Sequence, residues 1–197
     1  MNQNNISISL PLPLTGRADS PSDLAMLLRQ CQAQSQSAQK ILYDNYSPAA
    51  YSIIKRYFYN NEHAAQEILN DSFYKIFTRL DQYLFQGAFE GWVRRIVVNT
   101  ITDHVRKNKI KDQAHKEIEA NDAFTDSDQV GNLTHKELLL LIDALPEVQR
   151  AVFNLFVFEN YSHKEISALL SIKENNSRWH LNDARRRLKE KIDLLQK

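Results

Sequence analysis

Residues 162–192 read SHKEISALLSIKENNSRWHLNDARRRLKEKI, and this stretch decides the architecture. Ser162 and Glu165 have the S-x-x-E spacing of a capping box, in which the hydroxyl accepts from the third helical amide and the carboxylate reaches back to the cap's own N–H. A helix therefore starts at Ser162. Ile166, Leu169 and Leu170 give it one apolar side, Ser171-Ile172-Lys173 makes a turn, and Glu174 opens a second helix where its charge suits the positive helix end. On that second helix Ser177, Leu181, Ala184 and Leu188 recur at helical spacing and face the core. The opposite stripe carries Asn175, Asn176, Arg178, Trp179, Asn182 and Arg186. Amide and guanidinium groups on the exposed first half of such a helix pair with base edges, while Arg185, Arg187, Lys189 and Lys191 suit phosphate. A solvated basic helix would share the charge but would not need the cap, the turn and the two-sided pattern together. The stretch predicts a DNA-binding helix-turn-helix.

Working outward, 197 residues with 43% hydrophobic and 25% charged are enough for one sizeable domain or two small ones. Only four glycines and five prolines accompany long 3.6-period segments without strand alternation, so the fold class is all-α. Formal net charge is +1, so any nucleic-acid surface must come from local clustering. Arg94, Arg95, Arg106, Lys107, Lys109 and Lys111 gather in one region and the C-terminal helix in another. Glu117, Glu119, Asp122, Asp126 and Asp128 make the stretch between them acidic. Cys31 is the single cysteine, which excludes a disulfide framework and fits a reducing cytoplasm, with the thiol buried. No apolar run approaches a membrane span, and the N-terminus lacks the features of a signal peptide. Six scattered histidines, no H-E-x-x-H, no cysteine pair, no phosphate-cradling glycine loop and no G-x-S-x-G argue against an enzyme, a metal, a cofactor or a small-molecule substrate.

Two small helical domains joined by a flexible linker follow from the patterning. Residues 1–21 read as a disordered tail. Ser20-Pro21-Ser22-Asp23 starts a first block over 22–109. Its second helix runs from about Ala38 through Leu42, Tyr46, Tyr51, Ile54 and Phe58 and is expected to bend or break near Pro48. A third buries Ile68, Leu69, Phe73, Ile76 and Phe77 and leaves Glu67, Asn70, Asp71 and Lys75 outside. After the turn Tyr83 to Gly87, a fourth carries Phe89, Trp92, Ile96, Ile101 and Val105 inward. Residues 110–132 have linker composition, with a short helical part around His115 to Ala120. The second block, 133–197, begins at a Thr134 cap with Glu137 at its third position and holds four helices.

At this point two motif sets resemble a known family. Phe89-x-x-Trp92-Val93-x-x-Ile96-x-x-Asn99-x-x-x-Asp103-x-x-Arg106, preceded by Leu42-Tyr43-Asp44-x-Tyr46 and Ala65-x-Glu67-Ile68-Leu69-Asn70-Asp71-x-Phe73, resembles the second domain of bacterial sigma factors. Leu145-Pro146-x-x-x-Arg150-x-Val152-Phe153, Tyr161-Ser162-x-x-Glu165-Ile166 and Asn182-x-Ala184-Arg185-x-x-Leu188 resemble their fourth. With nothing substantial between the two, the chain is similar to the small extracytoplasmic-function sigma factors, specifically the Bacteroidetes-type members. The sequence departs from the family pattern in several places. Ser167 and Ser171 stand for alanine and glycine, Gln34-Ser35 for Gly-Asp, and Asn70 for glutamine. Trp179 occupies a usually small position, where it would press on sugar or a thymine methyl. Asp183 beside it would repel phosphate unless Arg186 or Arg187 neutralises it.

The resemblance implies a cytoplasmic transcription initiation factor that works without covalent chemistry. Its partners would be core RNA polymerase, promoter DNA and an anti-sigma factor. Glu67, Asn70, Asp71 and Lys75 would meet polymerase. Tyr83, Phe85, Gln86, Gly87, Arg95, Asn99 and Arg106, with Lys55 and Arg56 along the backbone, would capture the minus-ten single strand. The second block would grip the minus-thirty-five duplex, and the acidic linker would lie in the polymerase channel as a nucleic-acid mimic. Two other readings compete. A dimeric helix-turn-helix regulator predicts two-fold operators without replacing sigma, and a helical adaptor predicts no salt-dependent DNA binding.

Overall fold

The computed structural model describes residues 21–112 and 134–195. The tail to Ser20, with its expected cap, and the acidic linker, with its expected short helix around His115 to Ala120, lie outside the described residues. Eight α-helices and one 3-10 turn make up the described residues, which contain no strand. The first block holds α1 (Pro21–Gln32), α2 (Gln36–Tyr57), α3 (Glu62–Thr78) and α4 (Phe89–Asp112), with the 3-10 turn Leu80–Gln82 before α4. The second holds α5 (His135–Asp143), α6 (Glu147–Val157), α7 (His163–Leu170) and α8 (Glu174–Leu195).

Local chemistry sets these boundaries. Ser35 caps α2 by accepting from the Ala38 amide, and the Asn61 side chain does the same for α3 from Ala64. Both expected capping boxes, Thr134 with Glu137 and Ser162 with Glu165, are closed in both directions. Of the bend or break expected near Pro48, the break is corrected. Pro48 does not interrupt its helix: α2 is a single element of 22 residues with Pro48 inside it. A proline forfeits one intrahelical bond, and α2 tolerates that because its apolar row, Leu42, Tyr46, Ala50, Ile53, Ile54 and Tyr57, is fully buried against α3 and α4.

Phe89 sits among Tyr46, Tyr83 and Trp92, with ring centroids 5.2, 5.0 and 5.4 Å away, and it anchors the start of α4 in the first block's core. In the second block α6 and α7 pack on α8, and α5 closes a small cluster of Leu141, Ile142, Leu145, Ala184, Leu188 and Ile192. The two blocks are not independent. α4 lies against α6 and α7, and α2 against α5 and α6. The main core runs without a break from Leu28 through Ile54 and Val97 to Leu155, Ile166 and Leu181.

Polar groups stitch the same seam. At the end of α6, Asn160 takes a left-handed conformation (φ 58°), which asparagine accepts more readily than most residues. The amides of Phe158 and Glu159 both bond the Asn154 carbonyl, and that of Tyr161 bonds Leu155. This turn presents Glu159 to the first block, where its side chain, 1% exposed, receives Arg56 and Arg94, each at 2.6 Å. The Asn154 amide donates to the Arg56 carbonyl at 2.9 Å. The Tyr59 amide and the Asn60 side chain both donate to Asp143, at 3.1 and 2.9 Å.

Candidate nucleic-acid interface

The helix-turn-helix is built as its sequence requires. Ser171 takes the left-handed turn position (φ 50°), with its amide bonded to the Ser167 carbonyl. Ser177, Leu181, Ala184 and Leu188 all point into the core, the first and third at 0% exposure. The opposite side of α8 presents Asn175, Asn176, Arg178 and Arg185 exposed and Trp179, Asn182 and Arg186 half-buried. Arg178 pairs with Glu174 one turn back at 2.6 Å, on a face where ion pairs are worth little. The Arg185 guanidinium lies 5.8 Å from the Phe156 ring. Trp179 packs edge-on to His180, 5.0 Å between centroids.

Asp183 settles into the protein instead of facing the groove. It is 9% exposed and accepts from Gln149 at 2.6 Å, from Arg187 at 2.7 Å and from Arg186. Burial pushes its carboxyl up, but the Arg187 and Arg186 hydrogen bonds outweigh this and hold it below the ordinary carboxylate range. Arg186 also bonds Glu190 at 2.8 Å, so two carboxylates already occupy it. The remaining cations of the stripe are therefore better placed to meet DNA.

His163, at the start of α7, stacks on Phe156 (4.8 Å) and shares a 2.9 Å hydrogen bond with the buried Ser177 hydroxyl of α8. Burial, and then the Arg178 charge, lower its pKa from the ordinary 6.5. A base depressed by folding contributes stability in its neutral form above 6.5, and that contribution is lost as pH falls through 6.5 toward the lower folded value. Denaturant midpoints are expected to fall as pH drops below 6.5, and His163→Asn is expected to flatten that part of the profile. An identical slope in the variant would remove His163 as its source.

On the first block the residues expected to meet single-stranded DNA divide into two groups. Phe85, Gln86 and Gly87 are exposed at the loop tip, and Arg95 and Asn99 stand one turn apart on the outside of α4. Phe85 holds a left-handed conformation (φ 58°) while 56% exposed, an unusual combination for an aromatic side chain, and Gly87 has φ 88°. The other group is committed to partners within the protein. Tyr83 is 8% exposed, packs on Phe89 and Trp92, and donates to the Gly87 carbonyl at 2.8 Å, so it shapes the loop from beneath. Lys55 is half-buried and committed to Glu62 at 3.2 Å. Arg56 is 7% exposed beneath Glu159. Arg106 bonds Asp103 at 2.7 Å and the Leu169 carbonyl of the second block at 3.3 Å. The resemblance implied DNA contacts for Arg56 and Arg106, but the second block buries Arg56 and engages the partly exposed Arg106.

On α3, Glu67, Asn70 and Asp71 form an exposed row. The sequence reading missed its fourth member, Tyr74, which is 71% exposed. The signal was available, since residues 67, 70, 71 and 74 follow one helical stripe. Lys75 departs from its expected outward position and turns inward to Thr100 and Asp103, at 3.2 and 3.1 Å.

Comparison with known proteins identifies both blocks as regions of one family. Residues 42–110 match the family model "Sigma-70 region 2" and residues 135–188 match "Sigma-70, region 4". The chain is 29% identical over 135 residues to the ECF RNA polymerase sigma factor SigE of Mycolicibacterium smegmatis, covering 66% of this chain and 52% of that protein. It therefore spans about half the length of that relative. It is 25% identical over 187 residues to the ECF RNA polymerase sigma-E factor of Salmonella typhimurium, covering 86% of this chain and 94% of that protein. The solved sigma factor RpoE, in complex with the anti-sigma factor NepR from Bartonella quintana, has 19% identity and a TM-score of 0.46, covering 73% of this chain and 89% of that one. Two regions of one family, matched in order and together taking up more than half of the sequence, place the chain in the sigma-70 family, with the two-region organisation of its extracytoplasmic-function sigma factors.

Proposed function

We propose that this sigma factor joins core RNA polymerase through the α3 row and grips minus-thirty-five duplex with α8. Phe85, Gln86, Arg95 and Asn99 then hold the unpaired minus-ten strand. The observation that carries the reading is the two-sided α8, whose inner row is sealed in the core while its outer row offers amides and guanidiniums in the first half of the helix. The α3 row supports the polymerase contact, because acids around an exposed tyrosine suit a basic, partly apolar partner surface. Lys75 enters this surface as a brace under Asp103. Action in the cytoplasm beside polymerase, an anti-sigma partner and the absence of covalent chemistry belong to the same proposal. The narrower Bacteroidetes-type resemblance is part of the same proposal. The dimeric-regulator alternative is not favoured, since the matched regions include the family's region 2 as well as its helix-turn-helix.

The test is binding of the labelled full chain to purified core polymerase by fluorescence anisotropy. The pair Glu67→Lys/Asp71→Lys is expected to weaken binding at least roughly tenfold, because it sets like charge against the partner. Unchanged affinity would move the docking surface elsewhere.

A further inference from the structure

The outer row of α8 has an apolar member at its centre, which carries an inference resting on the duplex contact proposed above. Asn175, Trp179, Asn182 and Arg186 follow i, i+4, i+7 and i+11, two residues out of step with the buried row Ser177, Leu181, Ala184 and Leu188. Two residues amount to about 200° of helical turn, so Trp179 lies near the middle of the side turned away from the core. In the first half of α8 it is the one large apolar side chain that reaches the surface, since Leu181 is buried. We infer that Trp179 is a base-specificity residue: its indole meets the 5-methyl group of one thymine in the minus-thirty-five duplex and selects thymine at that position.

Three observations lead to this contact. First, the centre of the row, Asn175, Trp179 and Asn182, is uncharged. The exposed cations Arg178 and Arg185 stand to one side of it, and Arg186 at its end is held by Asp183 and Glu190. Phosphate is therefore met by the flanking cations, which leaves base edges to the centre. Second, a recognition helix lies in the major groove, where the thymine methyl is the apolar group among donors and acceptors. An indole pressed on that methyl gains a favourable contact. Against the amino and carbonyl groups of other edges it displaces water without returning a hydrogen bond. Third, the indole is already held. It is half-buried and packs edge-on to His180, with 5.0 Å between centroids and 69° between planes. A side chain fixed before binding loses little rotamer freedom on DNA and presents one defined surface.

The test uses holoenzyme formed from purified bacterial core polymerase and the full-length chain. Its probe is a promoter duplex randomised over roughly ten base pairs around the minus-thirty-five position. Selection by wild type is expected to fix a thymine at one position that Trp179→Ala leaves open. Replacing that thymine by deoxyuridine removes a methyl group and no hydrogen-bonding atom. The replacement is expected to weaken wild-type binding roughly fourfold, the worth of one buried methyl, and to leave Trp179→Ala binding unchanged.

An indole that only packs on the protein or on the sugar would not distinguish thymine from deoxyuridine. A selected element without a fixed thymine, or wild-type binding indifferent to deoxyuridine at every thymine of the element, overturns the inference. So does a Trp179→Ala holoenzyme that binds all sequences more weakly but keeps the same base preferences. The deoxyuridine comparison uses the wild-type chain, so it decides the matter even if Trp179→Ala fails to fold. A selection that enriches nothing in the randomised window, while starts still depend on the chain, would overturn the α8 duplex contact itself and this inference with it.

Discussion

Arg178→Ala combined with Asn182→Ala is expected to leave the fold intact and to remove recognition of the minus-thirty-five duplex. Both side chains lie on the outer row of α8, and the Arg178 side chain is 58% exposed. In the free protein Arg178 loses only its pair with Glu174, and such exposed pairs contribute about 0–1 kcal/mol. On DNA a well-placed base contact is worth about 1–3 kcal/mol, so losing two weakens specific duplex binding by roughly thirtyfold to more than ten-thousandfold. Thermal melting of the variant should match wild type, while footprinting upstream of the start site should lose its specific protection. Retained protection would place base reading elsewhere, with Asn175, Asn176 and Trp179 next in line.

Leu155→Ala is expected to produce the largest loss of stability. Leu155 is 0% exposed on α6, in the stretch of core shared by both blocks. Truncating such a leucine costs about 2–5 kcal/mol through lost burial and the cavity left behind. A domain of ordinary stability holds only about 5–15 kcal/mol in total. The substitution should lower the denaturation midpoint and, because Leu155 touches the seam, should also favour separation of the blocks. A change below about 0.5 kcal/mol, the usual range for surface positions, would mean that this core is not packed as described.

The elements were largely legible because their signals are local. The Ser162/Glu165 and Thr134/Glu137 boxes, the turn at Ser171 and the inner row of α8 are each set within a few residues, and each appears where its spacing predicts. Pro48 was misjudged because a proline's cost is local while the burial that outweighs it comes from α3 and α4. Which residues share a face was legible on α8, whereas on α3 the spacing set Lys75 outside and passed over Tyr74, and on α2 and α4 it gave no sign of the second block's contacts. Arg56, Arg94 and Arg106 look like free cations in the sequence, and only the second block, more than 60 residues away in sequence, supplies the partners that bury Arg56 and engage Arg94 and Arg106. Glu159 carried no motif at all. Its meaning comes from the left-handed turn at Asn160, which aims it across the seam.

The central claim is that this chain gives RNA polymerase its promoter specificity. The most direct measurement maps transcription starts made by purified bacterial core polymerase on genomic promoter fragments from the protein's own source, with and without the full-length chain. The account predicts discrete starts only when the chain is present, each with common sequence elements about ten and thirty-five base pairs upstream, placed by the two-block geometry. Starts that do not depend on the chain, or duplex binding to palindromic sites without any need for polymerase, would contradict it.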